Sequence, residues 1–182
     1  MRVLLVGGGG REHAIAEAVA RAGGEIHSFL KNRNPGILRK SKSHRLGPET
    51  DVDRVAAFAQ ECRAEMIVIG PEAPLAAGLA DRLETEGLLV VGPTRQAARI
   101  ETSKSFARRL LDAHRVPGRI GWALCSTKEE ARDAVRRFGG HVAVKPIGLT
   151  GGKGVKVSGD HLPDEESAVD YAAEVISTGT GG

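Results

Sequence analysis

Short apolar runs alternate with amphipathic segments through the first half of the chain. Four apolar runs predict strands, at residues 2–6, 25–30, 65–69 and 88–91, and we expect those at 2–6 and 65–69 to be buried. Between them, apolar residues at helical spacing predict helices at residues 11–22, 51–63 and 74–86. This alternation of strand and helix predicts an α/β fold in which helices cover both faces of a parallel sheet.

The pattern changes in two places. Residues 31–50 are rich in turn formers and basic side chains, and we expect a loop with one strand near 43–46 and its charges on a solvated surface. Beyond residue 94 we expect helices at 95–100, 103–114, 127–138 and 164–176, with short strands at 120–124, 141–145 and 155–157. We therefore predict a parallel-sheet domain at residues 1–100 and a small α+β unit at residues 101–182.

Composition excludes several classes of protein. Among 182 residues, 26 are Lys or Arg and 23 are Asp or Glu, an excess too small to indicate a nucleic-acid binder. No apolar run approaches the roughly 20 residues of a membrane helix, and the short run before Gly7 does not resemble a signal peptide. Cys62 and Cys125 lack metal-ligand spacing and are typical of reduced thiols. We expect a cytoplasmic protein without a nucleic-acid or membrane partner.

The sequence GGGGREH at residues 7–13 lies between a predicted strand and helix. Glycines there permit a tight turn and let backbone N–H groups approach an anion at the helix start. A dinucleotide-binding loop is an alternative, but Arg11 and Glu12 stand where that loop needs small residues, and no acidic residue follows the second strand. A purely structural turn is the other alternative; the motif favours a phosphate-binding loop.

The sequence GPEAPL at residues 70–75 follows the predicted strand at 65–69. Ligands of open α/β sheets bind at the carboxyl ends of strands, so we expect Glu72 to face the same crevice as the glycines. Its carboxylate could bind an amine or a sugar hydroxyl. A glutamate that only complements the dipole at a helix start is the alternative.

Lysines and glycines mark a second candidate site in the other half of the chain. Lys104 begins a predicted helix, and Lys145 ends an apolar strand that leads into a glycine-rich turn. Such a turn can fold over phosphates, although its sequence is not a Walker A loop. A flexible hairpin is the alternative. A buried ammonium would require an anionic partner, which favours a role for Lys145.

Taken together, these motifs resemble the glycinamide ribonucleotide synthetase family. GGGGREH, GPEAPL, GPT, a Ser-Lys pair and a strand lysine before GKGV occur in the family's order from residue 1 to about 157. Biotin carboxylases and aminoimidazole ribonucleotide carboxylases share the architecture but not GGGGREH with GPEAPL. The resemblance implies a Rossmann-like domain followed by the beginning of an ATP-grasp domain.

The resemblance also implies a reaction, in which ATP converts glycine to glycyl phosphate and the amine of 5-phosphoribosylamine displaces the phosphate. The residues at matching positions divide into three groups. The sugar phosphate would be held by Gly8, Gly9, Gly10 and Arg11; the sugar and amine by Glu72 and Pro74; and ATP by Lys104, Lys145, Gly148, Gly151, Gly152, Lys153 and Gly154, with the two lysines Lys104 and Lys145 catalytic.

Family members are much longer than this chain. The resemblance therefore implies that the ligands for Mg or Mn lie outside the chain, that a second polypeptide could complete the site, and that the chain alone lacks catalysis. The residues 31–37, KNRNPGI, also depart from the family's usual pattern. A non-catalytic nucleotide-binding module and a dinucleotide-dependent oxidoreductase stay open as alternatives.

Overall fold

The computed structural model describes residues 1–148 and 154–179. The chain divides into two compact units, residues 1–99 and residues 100–182.

The first unit is built on a five-stranded parallel sheet. Its strands are β1 (Arg2–Val6), β2 (Glu25–Leu30), β3 (Ser41–Leu46), β4 (Met66–Ile69) and β5 (Leu89–Val91). Their spatial order is β3-β2-β1-β4-β5, with every neighbouring pair parallel. The predicted α/β class is therefore confirmed. The chain order reverses direction between β1 and β4, so the carboxyl ends of these two strands form the switch point at which such sheets bind ligands.

Helices follow most strands of this unit. They are α1 (Gly10–Arg21), α2 (Pro35–Lys40), α3 (Val52–Glu61), α4 (Glu72–Ala76), α5 (Leu79–Thr85) and α6 (Arg95–Thr102). The core has two parts because β1 is buried on both faces: Leu4 and Val6 pack with Phe29 in one cluster, whereas Leu5 packs with Ile37 in the other. A central strand covered on both sides explains why its sequence is a continuous apolar run.

Two expectations for this unit were wrong. Residues 35–40 form α2 rather than loop, because Asn34 caps the helix and Pro35 occupies its first turn, where a missing N–H is harmless. Residues 74–86 form two helices rather than one, because Gly78 adopts a left-handed conformation at φ 89° between α4 and α5.

The second unit contains helices and a short antiparallel hairpin. Its further elements are α7 (Lys104–Ala113), α8 (Lys128–Arg137), β6 (Ala143–Val144), β7 (Lys156–Val157) and α9 (Glu165–Ser177). The expected strand at 120–124 is wrong, since those residues form neither helix nor strand and Ile120 is exposed. The strand expected at 141–145 is only two residues long. The apolar sequence of these two segments was not enough to form a full strand, because a strand also needs a neighbouring strand with which its backbone can pair.

No helix in the described parts of the chain is both long and apolar enough to cross a membrane.

Candidate functional site

The turn between β1 and α1, which we call the glycine loop, consists of residues 7–10. Its backbone N–H groups divide into two pairs. Gly7 donates to the carbonyl of Phe29 at 2.9 Å, and Gly9 donates to Glu12 Oε2 at 2.7 Å. Within residues 1–148 and 154–179, no hydrogen-bond partner faces the N–H groups of Gly8 and Gly10. These two donors at the start of α1 are therefore available to an anion.

Glu12 is buried beneath the glycine loop, with only 4% of its surface exposed. Its other carboxylate oxygen, Oε1, accepts a hydrogen bond from Arg11 Nε at 3.0 Å. A side chain at Gly7 would place its Cβ 2.7 Å from Glu12 Cγ, and a Cβ at Gly70 would overlap the Glu12 carboxyl group. Part of the motif's glycine content thus makes room for Glu12, a role that the sequence analysis did not foresee.

The segment that departs from the family pattern supports the glycine loop. Asn34 donates from Nδ2 to the carbonyls of Gly8 and Gly9 at 3.1 and 3.4 Å, while its Oδ1 caps α2. Asn32 adds a longer bond, at 3.4 Å, to the carbonyl of Gly8. Because the two amides bind carbonyls, they leave the N–H groups of Gly8 and Gly10 available.

The turn after β4 lies against the glycine loop. A Cβ at Gly7 would come within 2.8 Å of Pro71, which shows how closely the two turns approach. Glu72 is the first residue of α4, is half-buried, and has no hydrogen-bond or ion-pair partner among the residues that the structure describes. Pro74 is buried behind it. The structure thus brings Gly8, Gly9, Gly10, Arg11, Glu72 and Pro74 to one edge of the sheet.

Glu49, in the turn after β3, is a buried carboxylate that the sequence analysis missed. Only 4% of its surface is exposed, and Oε1 accepts a hydrogen bond from the backbone N–H of Lys31 at 3.1 Å. Burial raises the pKa of Glu49, the hydrogen bond from Lys31 opposes this, and the nearby charges of Glu12 and Glu72 reinforce it. Two residues separate Glu49 from the end of β3, and a carboxylate in such a turn is not part of any apolar periodicity in the sequence.

The candidate nucleotide site in the second unit contains Lys104. Its ammonium donates to the carbonyls of Ile147 and Gly148, at 3.4 and 3.0 Å. Lys104 therefore contacts the residue at which the glycine-rich turn begins. The predicted site residues Gly151, Gly152 and Lys153 lie outside the described residues.

The expectation that Lys145 lies buried within a strand was wrong. The residue follows the two-residue strand β6 and is exposed, so its ammonium stays hydrated without a compulsory anionic partner. On the other side of the turn, the carbonyl of Gly154 accepts a hydrogen bond from the Tyr171 hydroxyl at 3.0 Å. Buried Pro146 lies beside Gly154, where an added Cβ would meet Pro146 Cγ at 3.2 Å. Both ends of the turn are thus held in place.

In the described ranges, no group of three or more His, Cys, Asp or Glu side chains comes close enough together to hold a metal ion.

Comparisons with known proteins assign both units to one family. Residues 1–101 match the N domain of phosphoribosylglycinamide synthetase, and residues 102–182 match the ATP-grasp (A) domain of the same family. Phosphoribosylamine–glycine ligase of Pyrococcus abyssi is 49% identical over 176 residues, covering 97% of this chain and 40% of the relative. The corresponding ligase of Methanopyrus kandleri is 48% identical over 185 residues, covering 100% of this chain and 41% of the relative.

Solved structures of related proteins share the fold of this chain. The crystal structure of phosphoribosylamine–glycine ligase from Thermotoga maritima superimposes with a TM-score of 0.76 at 26% identity, covering 100% of this chain and 42% of that one. N5-carboxyaminoimidazole ribonucleotide synthetase from Thermus thermophilus shares the fold, with a TM-score of 0.74 at 17% identity over 99% of this chain and 45% of that one.

The chain spans about 40% of the length of the curated relatives that it matches. Both units match consecutive domains of one family, and the glycine loop and the Glu72 turn meet at the switch point of the sheet. The chain therefore belongs to the phosphoribosylglycinamide synthetase family.

Proposed function

We propose that this chain is the N-terminal part of an ATP-dependent ligase that joins glycine to 5-phosphoribosylamine. The products are glycinamide ribonucleotide, ADP and phosphate. The observation that carries the proposal is the match of both units, at close to half identity, to phosphoribosylamine–glycine ligases.

The reaction has two steps. A carboxylate oxygen of glycine attacks the terminal phosphorus of ATP, so glycyl phosphate forms and ADP leaves. The amine of phosphoribosylamine then attacks the acyl carbon, phosphate leaves, and the amine loses a proton as the amide forms. Each step moves negative charge, so positive groups and fixed N–H donors would stabilise the transition states.

In the first unit, the glycine loop would bind the phosphate of the sugar. The N–H groups of Gly8 and Gly10 point to this role because they lack partners among the described residues, and the guanidinium of Arg11 adds positive charge. Gly9 would contribute its backbone position rather than its N–H group, which is bonded to Glu12. The helix macrodipole favours an anion at the same place.

The turn after β4 would bind the reacting end of the sugar. Glu72 is half-buried at the switch point and its carboxylate could accept hydrogen bonds from the amine or a ring hydroxyl. Pro74, buried in the first turn of α4, would fix the direction in which Glu72 leaves the backbone.

In the second unit, Lys104 and Lys145 would stabilise the charge on the phosphates of ATP. Lys104 already contacts the start of the glycine-rich turn, and Lys145 is exposed three residues before Gly148. The remaining ATP-binding residues of the proposal are Gly148, Gly151, Gly152, Lys153 and Gly154, whose N–H groups would close over the phosphates.

The rest of the site would come from sequence beyond these residues, either on the same polypeptide or on a second one. Mg or Mn ligands belong to that part of the proposal. The isolated chain is accordingly expected to bind substrates without turning them over.

Variants of the polypeptide that carries this sequence test the proposal. We expect Lys145→Met to reduce kcat for glycine-dependent ADP release by about a hundredfold, since it removes a charge from the transferring phosphoryl group. Glu72→Gln should mainly raise KM for phosphoribosylamine. Lys128→Met is the matched control, because Lys128 forms ion pairs on the surface with Glu166 and Asp170. Unchanged kinetics in Lys145→Met and Glu72→Gln would contradict the assignment.

A further inference from the structure

A cavity of about 470 Å³ opens in the first unit at the ends of β2 and β3. Its lining comes from the turns after β2 and β3 and from the start of α4, and consists of Lys31, Gly47, Pro48, Glu49, Thr50 and Ala73. The cavity is large enough for a sugar ring. It lies at the carboxyl edge of the sheet, where open α/β folds bind ligands.

Glu49 is the buried acidic group of this cavity. One of its oxygens is bonded to the backbone N–H of Lys31, which fixes the orientation of the carboxyl group. The other oxygen, Oε2, has no hydrogen-bond partner in the part of the chain that the structure describes, although the residue is only 4% exposed. This oxygen is reached by solvent from the cavity that Glu49 lines, so a donor from a ligand could replace water there.

We propose that Glu49 accepts hydrogen bonds from the vicinal hydroxyl groups of a ribose 5-phosphate unit bound in this cavity. The inference rests on the proposed function, because it deepens the assignment of the glycine loop as the phosphate-binding element of the same site.

The position of Glu49 supports a sugar diol as the ligand group. In dinucleotide-binding sheets, an acidic residue after the second strand binds ribose hydroxyls while the glycine loop after the first strand binds phosphate. Here Leu30 ends the second strand, Lys31 and Asn32 follow it, and none of the three is acidic. Glu49 instead reaches the same strand end from the turn after β3, through its bond to Lys31. The acid that the sequence lacks after β2 is thus supplied from the neighbouring strand.

Glu49 lies near the charged residues of the first site. Glu12 beneath the loop and Glu72 after β4 are both near enough to act on the pKa of Glu49. Lys31 lines the same cavity and offers positive charge toward a phosphate. One edge of the sheet therefore offers N–H donors for the phosphate of a phosphorylated ribose and a carboxylate acceptor for its hydroxyl groups.

The test is an NMR titration of the 182-residue chain with four probes: ribose 5-phosphate, 2-deoxyribose 5-phosphate, AMP and 2′-deoxy-AMP. The comparison is between the wild type, Glu49→Gln and the control Glu84→Gln, an exposed glutamate on α5. Glu49→Gln keeps an acceptor for Lys31, and its melting temperature checks that the variant folds. We expect the wild type and the control to prefer ribose over deoxyribose by about tenfold, and Glu49→Gln to lose most of this preference.

The two pairs of probes identify the source of the ribose. If Glu49→Gln loses the preference for ribose 5-phosphate over 2-deoxyribose 5-phosphate, the inference is supported and Glu49 is assigned to the sugar substrate. Loss for AMP alone also supports a diol site, but assigns it to a nucleotide. Wild-type binding of ribose 5-phosphate with the same preference in folded Glu49→Gln overturns the inference and leaves the proposed function standing. A wild-type chain that binds none of the four probes overturns both.

Discussion

The side chain of Glu12 shows why a string of glycines follows β1. Its carboxylate occupies the space between the glycine loop and the turn after β4, bonded to Gly9 and Arg11. Gly7 needs both its φ of 122° and its lack of a side chain to pass this group. A glycine-rich motif that is read only as an anion site would therefore miss half of the reason for its composition.

This packing predicts a coupling between two positions distant in sequence. Gly70→Ala should lower the free energy of unfolding by about 2 kcal/mol, because its Cβ would overlap the Glu12 carboxyl group. In a Glu12→Ala background the same change should cost about 1 kcal/mol or less, since the overlap is gone. Urea unfolding of the four proteins in this double-mutant cycle measures the difference. Equal costs in both backgrounds would show that Glu12 does not occupy the predicted space.

The raised pKa of Glu49 predicts a pH-dependent effect on stability. Because burial raises the pKa above the ordinary value of 4.5, the folded state holds this proton at a pH where the unfolded state has released it. The contribution of Glu49 to stability therefore falls as pH rises above 4.5. Relative to the wild type, Glu49→Gln should be more stable at about pH 7 than at about pH 4. Urea unfolding at both values tests this, with Glu84→Gln as control; a stability difference that is independent of pH would contradict it.

At the scale of elements, strong apolar periodicity allowed correct prediction and weak periodicity did not. Strands β1, β2 and β4 and helices α1 and α3 follow from buried faces that are evident in the sequence. Strand β5 follows from its apolar run, although Leu89 and Val91 are exposed. Helix α2 was missed because it is six residues long and is defined by the Asn34 cap and Pro35 rather than by an apolar stripe. The prediction of a strand at 120–124 was wrong because the apolar residues there have no neighbouring strand, among the residues that the structure describes, with which to pair.

Helix α2 and the glycine loop should respond together to one substitution. Asn34→Ala removes the cap of α2 and the bonds to Gly8 and Gly9, and should cost about 1 kcal/mol of stability. Hydrogen exchange should become faster at residues 7–10 as well as in α2. Asn32→Ala, which removes only one bond of 3.4 Å, is the control and should have a smaller effect. Faster exchange in α2 alone would show that Asn34 does not hold the glycine loop.

Tyr171 should hold the far side of the glycine-rich turn in the second unit. Tyr171→Phe removes the hydroxyl that donates to the Gly154 carbonyl but retains the ring beneath the Lys156 ammonium, which lies 3.9 Å from the ring centroid. We expect a loss of about 1 kcal/mol and faster amide exchange in β7. Tyr171→Leu removes the ring contact too and should cost more. Identical stability of wild type and Tyr171→Phe would exclude a role for the hydroxyl.

At the scale of the whole molecule, the sequence predicted the fold class and the neighbourhood of the first site, because both depend on strand ends and strand order. It did not predict Glu49 or the burial of Glu12, which depend on how turns distant in sequence pack together. Lys145 was misplaced because a two-residue strand exposes a side chain that a longer strand would bury.

The central claim, that this chain is part of a glycine-ligating enzyme, is tested most directly on the native polypeptide purified from its source. Its intact mass shows whether the 19.2 kDa chain is a piece of something larger or has a partner, and ADP release is measured on the same fraction. The account predicts a larger polypeptide or a stable complex whose ADP release requires both glycine and phosphoribosylamine. A chain of 19.2 kDa without a partner and without such activity would contradict the account and favour a binding module.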